Sequence, residues 1–455
     1  MVLTASCEKR VFIETFGCQM NDSDTDTMLG ILEGIDYRET LDPTEADLIL
    51  VNTCSVRDKA EQKVYSTVGR YKTLKRERPG LRIAITGCVA QQRGESLLKR
   101  LPYIDFVLGP HNLHRISDIL NDLSKQKSRI SETSQITDVN STSFKPRAFK
   151  KGQKKALVSI MRGCDNFCTY CIVPFTRGRE ESRDSTAIVK EISALAEAGI
   201  KEVTLLGQNV NSYRGGKGGG GGAKTFTELL KEICRVDGIE RVRFVTSHPK
   251  DISTELIELF AVEEKLCRHL HLPMQSGSDR VLAMMKRGYT SGEYLEKVGR
   301  LKELYPLLAL TTDMIVGFPG ETDADFERTM AVISDVEFDN IFSFKYSPRP
   351  ETRAAALPDR VSEEVKSRRL SSLQASQREI TIRRNEAQVG RTLEIYIEGR
   401  SKLNEAELTG RSGCNRIVNF PGPPELAGTL ADVLITGART NSLRGEQIER
   451  KLLCS

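Results

Sequence analysis

The sequence predicts an α/β protein in three parts: an N-terminal doubly wound parallel sheet, a central partial (β/α)6 barrel and a small C-terminal antiparallel β-barrel. Three observations carry this reading. Short apolar runs alternate with helix-patterned segments in residues 1–140, six strand-then-helix units fill 156–384, and within 385–455 a period-two alternation is punctuated by Gly and Pro. A chain of 455 residues also exceeds what one core usually holds. Hydrophobic residues at 39% and charged residues at 28% exclude a disordered chain and a membrane protein. No run approaches the roughly 18 apolar residues of a spanning helix. Glu8, Lys9, Arg10 and Glu14 stand where a secretory signal would be apolar, so a cytoplasmic protein without membrane association is expected.

In the first part, Val11–Cys18, Ala46–Cys54 and Arg82–Cys88 each read as a buried strand ending in cysteine, with helical patterning between them, as from Asp58 to Lys75. In a parallel doubly wound sheet the loops after the strands collect along one edge. Cys18, Cys54 and Cys88 are therefore expected to meet. A linker, 141–155, follows, and its six Lys and Arg residues with no Asp or Glu account for the whole surplus of +5.

For the barrel the candidate strands are Ala156–Met161, Glu202–Leu206, Arg241–Thr246, His269–Pro273, Leu310–Val316 and Asn340–Tyr346. Segments such as Ser185–Ala198 and Ser291–Leu304 supply the intervening helices. The working face of such a fold lies at the C-terminal ends of its strands. Gly215 to Gly222, interrupted by Lys217, reads as a flexible surface insertion, and Ser362 to Gln388 as one helix. Thr392–Glu398, Arg416–Phe420 and Thr429–Thr436 then read as strands of the last barrel.

Eleven cysteines are an odd number for a disulfide framework and point to metal or sulfur chemistry. Cys164, Cys168 and Cys171, spaced C-x3-C-x2-C directly after the first barrel strand, can hold three irons of a 4Fe-4S cluster and leave the fourth open. The competing reading is a structural zinc, which takes four protein ligands. No histidine lies near this loop, and the nearest other cysteine in sequence is Cys234. Singly, Cys18, Cys54 and Cys88 could be small buried residues; three equivalent strand-to-helix turns with cysteine favour a second cluster. Cys7, Cys234, Cys267, Cys414 and Cys454 match no spacing and are read as inert. Gln208, Asn209, Ser247, Gln275, Ser276 and Asp313, near later strand ends, are candidates for a small-molecule pocket, although turn residues there also have purely structural uses. His269 and His271 are given a structural role. Lys150, Lys151, Lys154 and Lys155, interleaved with Phe144 and Phe149, could neutralise phosphates and stack on bases, or be solvated linker. Arg411 and Arg416 are further nucleic-acid candidates in the last barrel.

Around Cys164–Cys171 the chain resembles the radical S-adenosylmethionine superfamily. Taken with Thr15–Asn21, Asn52–Arg57, Gly87–Ala90, His271–Ser278 and Asn415–Phe420, it resembles the methylthiotransferase family over nearly its full length, within it the branch acting on isopentenyl-adenosine of tRNA. The resemblance implies an N-terminal methylthiotransferase domain (1–140), a basic linker (141–155), a radical-SAM domain (156–384) and a TRAM domain (385–455). It implies a radical-generating 4Fe-4S cluster on Cys164, Cys168 and Cys171, an auxiliary one on Cys18, Cys54 and Cys88, and S-adenosylmethionine as cosubstrate. The activity implied is transfer of a methylthio group to carbon 2 of isopentenyl-adenosine beside the anticodon. Implied partners are the tRNA anticodon stem-loop, an electron donor protein and a sulfur source, with the enzyme a monomer. Threonylcarbamoyl-adenosine or a ribosomal-protein aspartate are the alternative substrates, and a non-catalytic RNA-binding redox sensor is the alternative class. The sequence departs from the family's Gly-Thr-Pro after Arg349-Pro350, where Glu351-Thr352-Arg353 stand, and in the glycine insertion.

Overall fold

The structure, a computed structural model, describes residues 8–55, 59–125, 128–135, 153–215, 223–358, 360–402 and 404–448. Residues 141–152 of the expected linker (141–155), with Lys150 and Lys151, and the glycine insertion beyond Gly215 lie outside the described residues.

Alternating apolar residues on the first strands feed two separate cores, which is why this sheet carries helices on both faces. Strands β1 (Lys9–Thr15), β2 (Tyr37–Glu39), β3 (Leu48–Thr53), β4 (Arg82–Gly87), β5 (Phe106–Leu108) and β6 (Ile130–Glu132) form one parallel sheet in the order β2-β1-β3-β4-β5-β6. Ile49, Val51, Ile83, Ile85 and Val107 pack under helices α2 (Lys59–Glu77), α3 (Cys88–Arg93) and α4 (Glu95–Arg100). Leu48, Leu50, Ala84, Phe106 and Leu108 pack under α1 (Gln19–Glu33) and α5 (Ile116–Lys125).

The barrel is six parallel strands in two halves. Strands β7 (Lys155–Ser159), β10 (Glu202–Leu206) and β13 (Arg241–Phe244) form the first half, and β14 (His269–His271), β15 (Ala309–Val316) and β16 (Asn340–Lys345) the second. The halves join where Val242 donates its N–H to Lys265 and accepts from Cys267. Two short pairs decorate the first half: β8 (Met161–Arg162) with β9 (Glu181–Ser182), and β11 (Arg214–Gly215) with β12 (Lys224–Thr225). A short helix α6 (Val173–Thr176) follows the cysteine loop. The covering helices are α7 (Ser185–Glu197), α8 (Phe226–Cys234), α9 (Thr254–Val262), α10 (Asp279–Met284), α11 (Ser291–Leu304), α12 (Asp323–Val336) and α13 (Glu363–Glu386). One large apolar core joins strand residues such as Val203, Val242, Leu310 and Met314 to Ile192, Leu229, Val298, Ile333 and Leu373 of the helices.

Strands β17 (Thr392–Arg400), β18 (Glu407–Ser412), β19 (Ile417–Pro421), β20 (Leu430–Ala438) and β21 (Leu443–Gln447) close a barrel in the order β17-β18-β19-β21-β20. The expectation of a purely antiparallel barrel needs one correction: β19 and β21 run parallel. A closed ring of five strands cannot alternate in direction throughout, so at least one neighbouring pair must be parallel.

This barrel is docked by buried charge. Arg243 donates to the Ser412 and Gly413 carbonyls (2.8 and 3.2 Å) and to Glu202 (3.0 Å), and Arg241 reaches Glu394 and the Arg411 carbonyl (2.8 and 3.1 Å). Arg416, from the barrel side, pairs with Asp339 and donates to Asn385 of α13.

Asp325 ties the second half together. It caps α12 through the Thr322 hydroxyl, accepts from Ser278 (2.6 Å) and pairs with Arg280. Burial works against its charge, but the bonds from Arg280, Ser278 and Thr322 hold its carboxyl well below the usual range. Its stabilisation is therefore present above the ordinary carboxylate pKa of about 3.9 and lost as pH falls below it. Asp325→Asn is expected to lower stability by about 1–3 kcal/mol at neutral pH, with the deficit against the wild type shrinking toward pH 3 in denaturant titrations.

Candidate functional site

The loop bearing Cys164, Cys168 and Cys171 is fixed at the C-terminal end of the first barrel half by backbone bonds to three other segments. Gly163 opens it with φ +76°, and a Cβ there would stand 1.9 Å from the Arg179 carbonyl oxygen, so only glycine fits. Gly163 donates its N–H to the Gln208 side chain (2.6 Å) and Cys164 to Gly178 (3.3 Å). Thr169 donates to Met285 (3.0 Å) and accepts from Ala354 (2.8 Å), while a Cys171-to-Cys168 bond (3.0 Å) tightens the turn. Cys168 is buried; Cys164 and Cys171 are partly exposed. Burial pushes the Cys164 thiol up to about 11 and Cys171 to about 12. Arg287 donates to the Cys168 sulfur (3.4 Å), Asn166 to that of Cys164 (3.6 Å), and His248 Nε2 stands 4.0 Å from Cys168. Sequence reading overlooked Arg287, while His248 lies in the strand-end stretch Thr246–Pro249. Arg287, in Lys286-Arg287, looks like an ordinary surface cation, and only the fold turns it inward.

The other trio sits at the edge of the N-terminal sheet. Parallel register sets Thr15 beside Asn52 and Thr53 beside Gly87, so the adjacent strands β1, β3 and β4 end level. Cys18 then caps α1, Cys54 follows β3 and Cys88 opens α3. Gly17 and Gly87 both have positive φ, and a Cβ on either would lie 2.4 Å from the next strand, at Cys54 Cβ or the Thr53 carbonyl. Buried Asn21 and Asn52 lock the edge through Asn21-to-Asn52 and Asn21-to-Thr53 bonds (3.1 and 3.0 Å) and an Asn52-to-Asn21 carbonyl bond (2.8 Å). The Cys54 thiol hydrogen-bonds Cys18, and with the Arg177 charge this overcomes burial and lowers Cys18 to about 6.

Arg177 joins the two trios. It follows Cys171 by six residues, is 4% exposed, and makes a two-pronged ion pair with Asp24 of α1 (2.6 and 3.3 Å). Its charge acts on both Cys18 and Cys88. Among the described residues no three thiol, imidazole or carboxylate groups converge as the donors of a single metal ion. Cluster thiolates bind separate irons and need no such convergence. A loop turned by Gly163 with a buried cation at its central sulfur fits a cluster.

The pocket candidates separate in the structure. Gln208 braces the cysteine loop through Gly163. Asn209 donates to Asp251 (2.7 Å), but its side-chain oxygen Oδ1, the Ser247 hydroxyl and both side-chain amide atoms of Asn211 are buried without a partner. Such atoms are costly unless a ligand meets them. Gln275 (φ +77°) bonds β15 through its backbone. Ser276 stands by Thr329 and accepts from the Ser278 N–H. Asp313 lies in mid-strand, 3.6 Å from His271. It belongs to the inner face of the second half, where paired residues share a side: His271 and Thr311, then Asp313 and Phe342, then Ile315 and Phe344. Phe342 and Phe344 are half-exposed there, 46% and 42%.

Among the basic candidates, Lys155 pairs with Glu398 (2.8 Å) and lies over Tyr396, Arg411 pairs with Glu398 (3.3 Å), and Arg416 is committed to Asp339. Tertiary contacts therefore use these charges inside the protein; Lys154 is partly exposed. Arg439 and Arg444 line a polar cleft of about 310 Å³ in the last barrel, where Arg444 pairs with Glu407.

Because thiolates alkylate and thiols do not, iodoacetamide should modify Cys18 of metal-free protein at pH 7 well before Cys164 or Cys171. The Cys18 rate should rise through about pH 6. Peptide mass spectrometry over a pH series reads both, and Cys54→Ala should move the Cys18 midpoint upward.

Comparison with known proteins places three family models along the chain. They are Uncharacterized protein family UPF0004 at residues 10–109, the Radical SAM superfamily at 158–333 and the TRAM domain at 386–448. The chain is 52% identical over 444 residues to a tRNA-2-methylthio-N(6)-dimethylallyladenosine synthase of Geobacter metallireducens, covering 96% of this chain and 98% of that one. A protein of the same name from Syntrophobacter fumaroxidans is 48% identical over 98% and 97% of the two chains. Among solved structures, the radical S-adenosylmethionine methyltransferase TsrM from Kitasatospora setae superposes with a TM-score of 0.56 at 14% identity, over 76% of this chain and 75% of that one. The cobalamin-dependent S-adenosylmethionine radical enzyme OxsB gives 0.53 at 13% identity, over 81% and 56%. These two likenesses concern the fold alone. Relatives about half identical across nearly the whole chain, with the three models following one another in order, establish that it belongs to the tRNA-2-methylthio-N(6)-dimethylallyladenosine synthase family of radical-SAM enzymes.

Proposed function

We propose that this radical-SAM tRNA methylthiotransferase works with two 4Fe-4S clusters, one on Cys164, Cys168 and Cys171 and an auxiliary one on Cys18, Cys54 and Cys88, each with an open iron. The reaction is addition of a methylthio group to carbon 2 of isopentenyl-adenosine beside the anticodon. When bound, the first cluster with S-adenosylmethionine supplies a deoxyadenosyl radical able to take hydrogen from an aromatic C–H that no side-chain base could deprotonate, and the second supplies the sulfur to be methylated. The observation that carries this reading is the Arg177–Asp24 pair, which fastens the segment leaving one cysteine trio against the helix that begins at the other.

The chain's own groups supply placement. Asn209, Asn211 and Ser247 offer unpaired polar atoms beside the Cys164 loop for the ribose, adenine or amino-acid end of S-adenosylmethionine. Gln208 holds that loop in place, and Asp313 lies on the inner face of the second half, away from it. Phe342 and Phe344 give that face an apolar patch suited to a prenylated base. Lys150, Lys151 and Lys154 ahead of the barrel, with Arg439 and Arg444 on the last one, are the proposed phosphate contacts. A cytoplasmic monomer served by an electron donor protein and a sulfur source completes the proposal.

Anaerobically reconstituted protein should carry about eight irons. Replacing Cys164, Cys168 and Cys171 by Ala should remove half the iron and all deoxyadenosine formation. The same change at Cys18, Cys54 and Cys88 should remove the other half and all methylthio transfer to an isopentenylated stem-loop, while S-adenosylmethionine cleavage persists. A full iron complement in the second variant refutes the auxiliary site. Separately, Phe342→Ala with Phe344→Ala should lower kcat/KM for the isopentenylated stem-loop about 10- to 100-fold, leaving deoxyadenosine formation without RNA near the wild-type level.

A further inference from the structure

Burying a guanidinium is unfavourable unless an anion meets it, and among the described residues the fully buried arginines observe the rule with one exception. Arg177 meets Asp24, Arg243 meets Glu202, Arg369 meets Glu321 and Arg416 meets Asp339. Arg287 is equally buried, 4% exposed, yet no carboxylate pairs with it among the described residues. Its Nη2 donates to the Pro273 carbonyl (2.6 Å) and its Nε to the Tyr289 hydroxyl (3.1 Å). The remaining nitrogen, Nη1, lies 3.4 Å from both the Tyr170 hydroxyl and the Cys168 sulfur. Tyr170 and Tyr289 offer only phenol hydroxyls, which are neutral at physiological pH. That leaves the Cys168 sulfur as the anionic partner.

A second donor faces the same atom. His248 is buried, and its Nδ1 accepts from the Lys250 N–H (3.2 Å), which places the ring proton on Nε2, 4.0 Å from the Cys168 sulfur. Arg287, a guanidinium, is the fixed cation beside this sulfur. Of the three thiols on the loop, Cys168 is the most enclosed and takes both contacts.

We propose that Arg287 is the fixed counter-charge of the iron–sulfur site on Cys164, Cys168 and Cys171, a positioning residue that raises the site's reduction potential. The inference rests on the assignment of that trio. Reduction adds one electron from a low-potential one-electron donor and takes up no proton, so the site gains a full negative charge in a water-poor surrounding. A cation held by Pro273 and Tyr289 is already in place to stabilise that charge, and hydrogen bonds to cluster sulfurs act in the same direction. His248 orients its N–H toward the same sulfur and adds a dipole of the same sign.

The test is an EPR-monitored potentiometric titration, without S-adenosylmethionine, of anaerobically reconstituted wild type, Arg287→Gln and Arg287→Lys, each in the Cys18, Cys54 and Cys88 to Ala background so that only one cluster is observed. Iron is counted in every sample. At equal iron, Arg287→Gln should be at least tenfold harder to reduce, a shift of about 59 mV to more negative potential for a one-electron couple. Arg287→Lys should stay close to wild type. Equal potentials in all three overturn the proposal, as does a defect confined to S-adenosylmethionine binding with the potential unchanged, which would make Arg287 a cosubstrate contact. If Arg287→Gln fails to hold iron, iron and potential retained in Arg287→Lys support the charge requirement, and loss in both overturns it. A parent protein that itself binds no iron refutes the cysteine assignment, a separate result.

Discussion

The ion pair between Arg177 and Asp24 is the contact on which the rest of the arrangement depends. It spans two domains with separate cores, and both its side chains are nearly removed from water. Such a pair contributes little net stability compared with an apolar contact of the same size, but removing one member leaves a buried charge at a cost of about 3–5 kcal/mol. It therefore specifies how the domains meet more than how strongly. Arg177 closes the segment that begins at Cys171, and Asp24 lies less than two helical turns past Cys18, so the mutual placement of the trios follows from this one geometry.

At the opposite end of the barrel a second set of charges does a related job. Lys155, Glu202, Arg241 and Arg243 alternate with the apolar residues of β7, β10 and β13, and so point to the inner face rather than to the helices. The last barrel covers them, offering the carbonyls of Arg411, Ser412 and Gly413 and the carboxylates of Glu394 and Glu398. The floor is thus closed by polar groups that satisfy one another, and the apolar inner wall at Phe342 and Phe344 opens above it. Arg411, Arg416 and Lys155 belong to this seam, which removes them from the charge available to a phosphate backbone.

Between the two seams lies the inner space of the barrel. Most buried polar groups here are matched, as in the clamp of Asn21 with Asn52 and the ring of bonds around Asp325. Asn209, Asn211 and Ser247, at the ends of β10 and β13, are among the buried groups with atoms left unmatched in the described residues, and Arg287, buried with no carboxylate paired to it there, lies against Cys168.

The sequence by itself determined the periodicities, and with them the three-part fold. It also determined that Cys18, Cys54 and Cys88 share an edge, because equal strand-to-helix turns in a parallel sheet cannot end anywhere else. The Cys164 loop was legible for the same reason, since its spacing is local and its glycine is imposed by one close approach. Only the tertiary structure decided what the long cationic side chains do. Arg177, Arg287 and Arg416 look alike along the chain, but one latches two domains, one faces a sulfur and one docks a barrel, because their partners Asp24, Cys168 and Asp339 are 153, 119 and 77 residues away. Charge at such separations has no local signature. It acquires a role when the fold removes water from around it and fixes which neighbours are within reach.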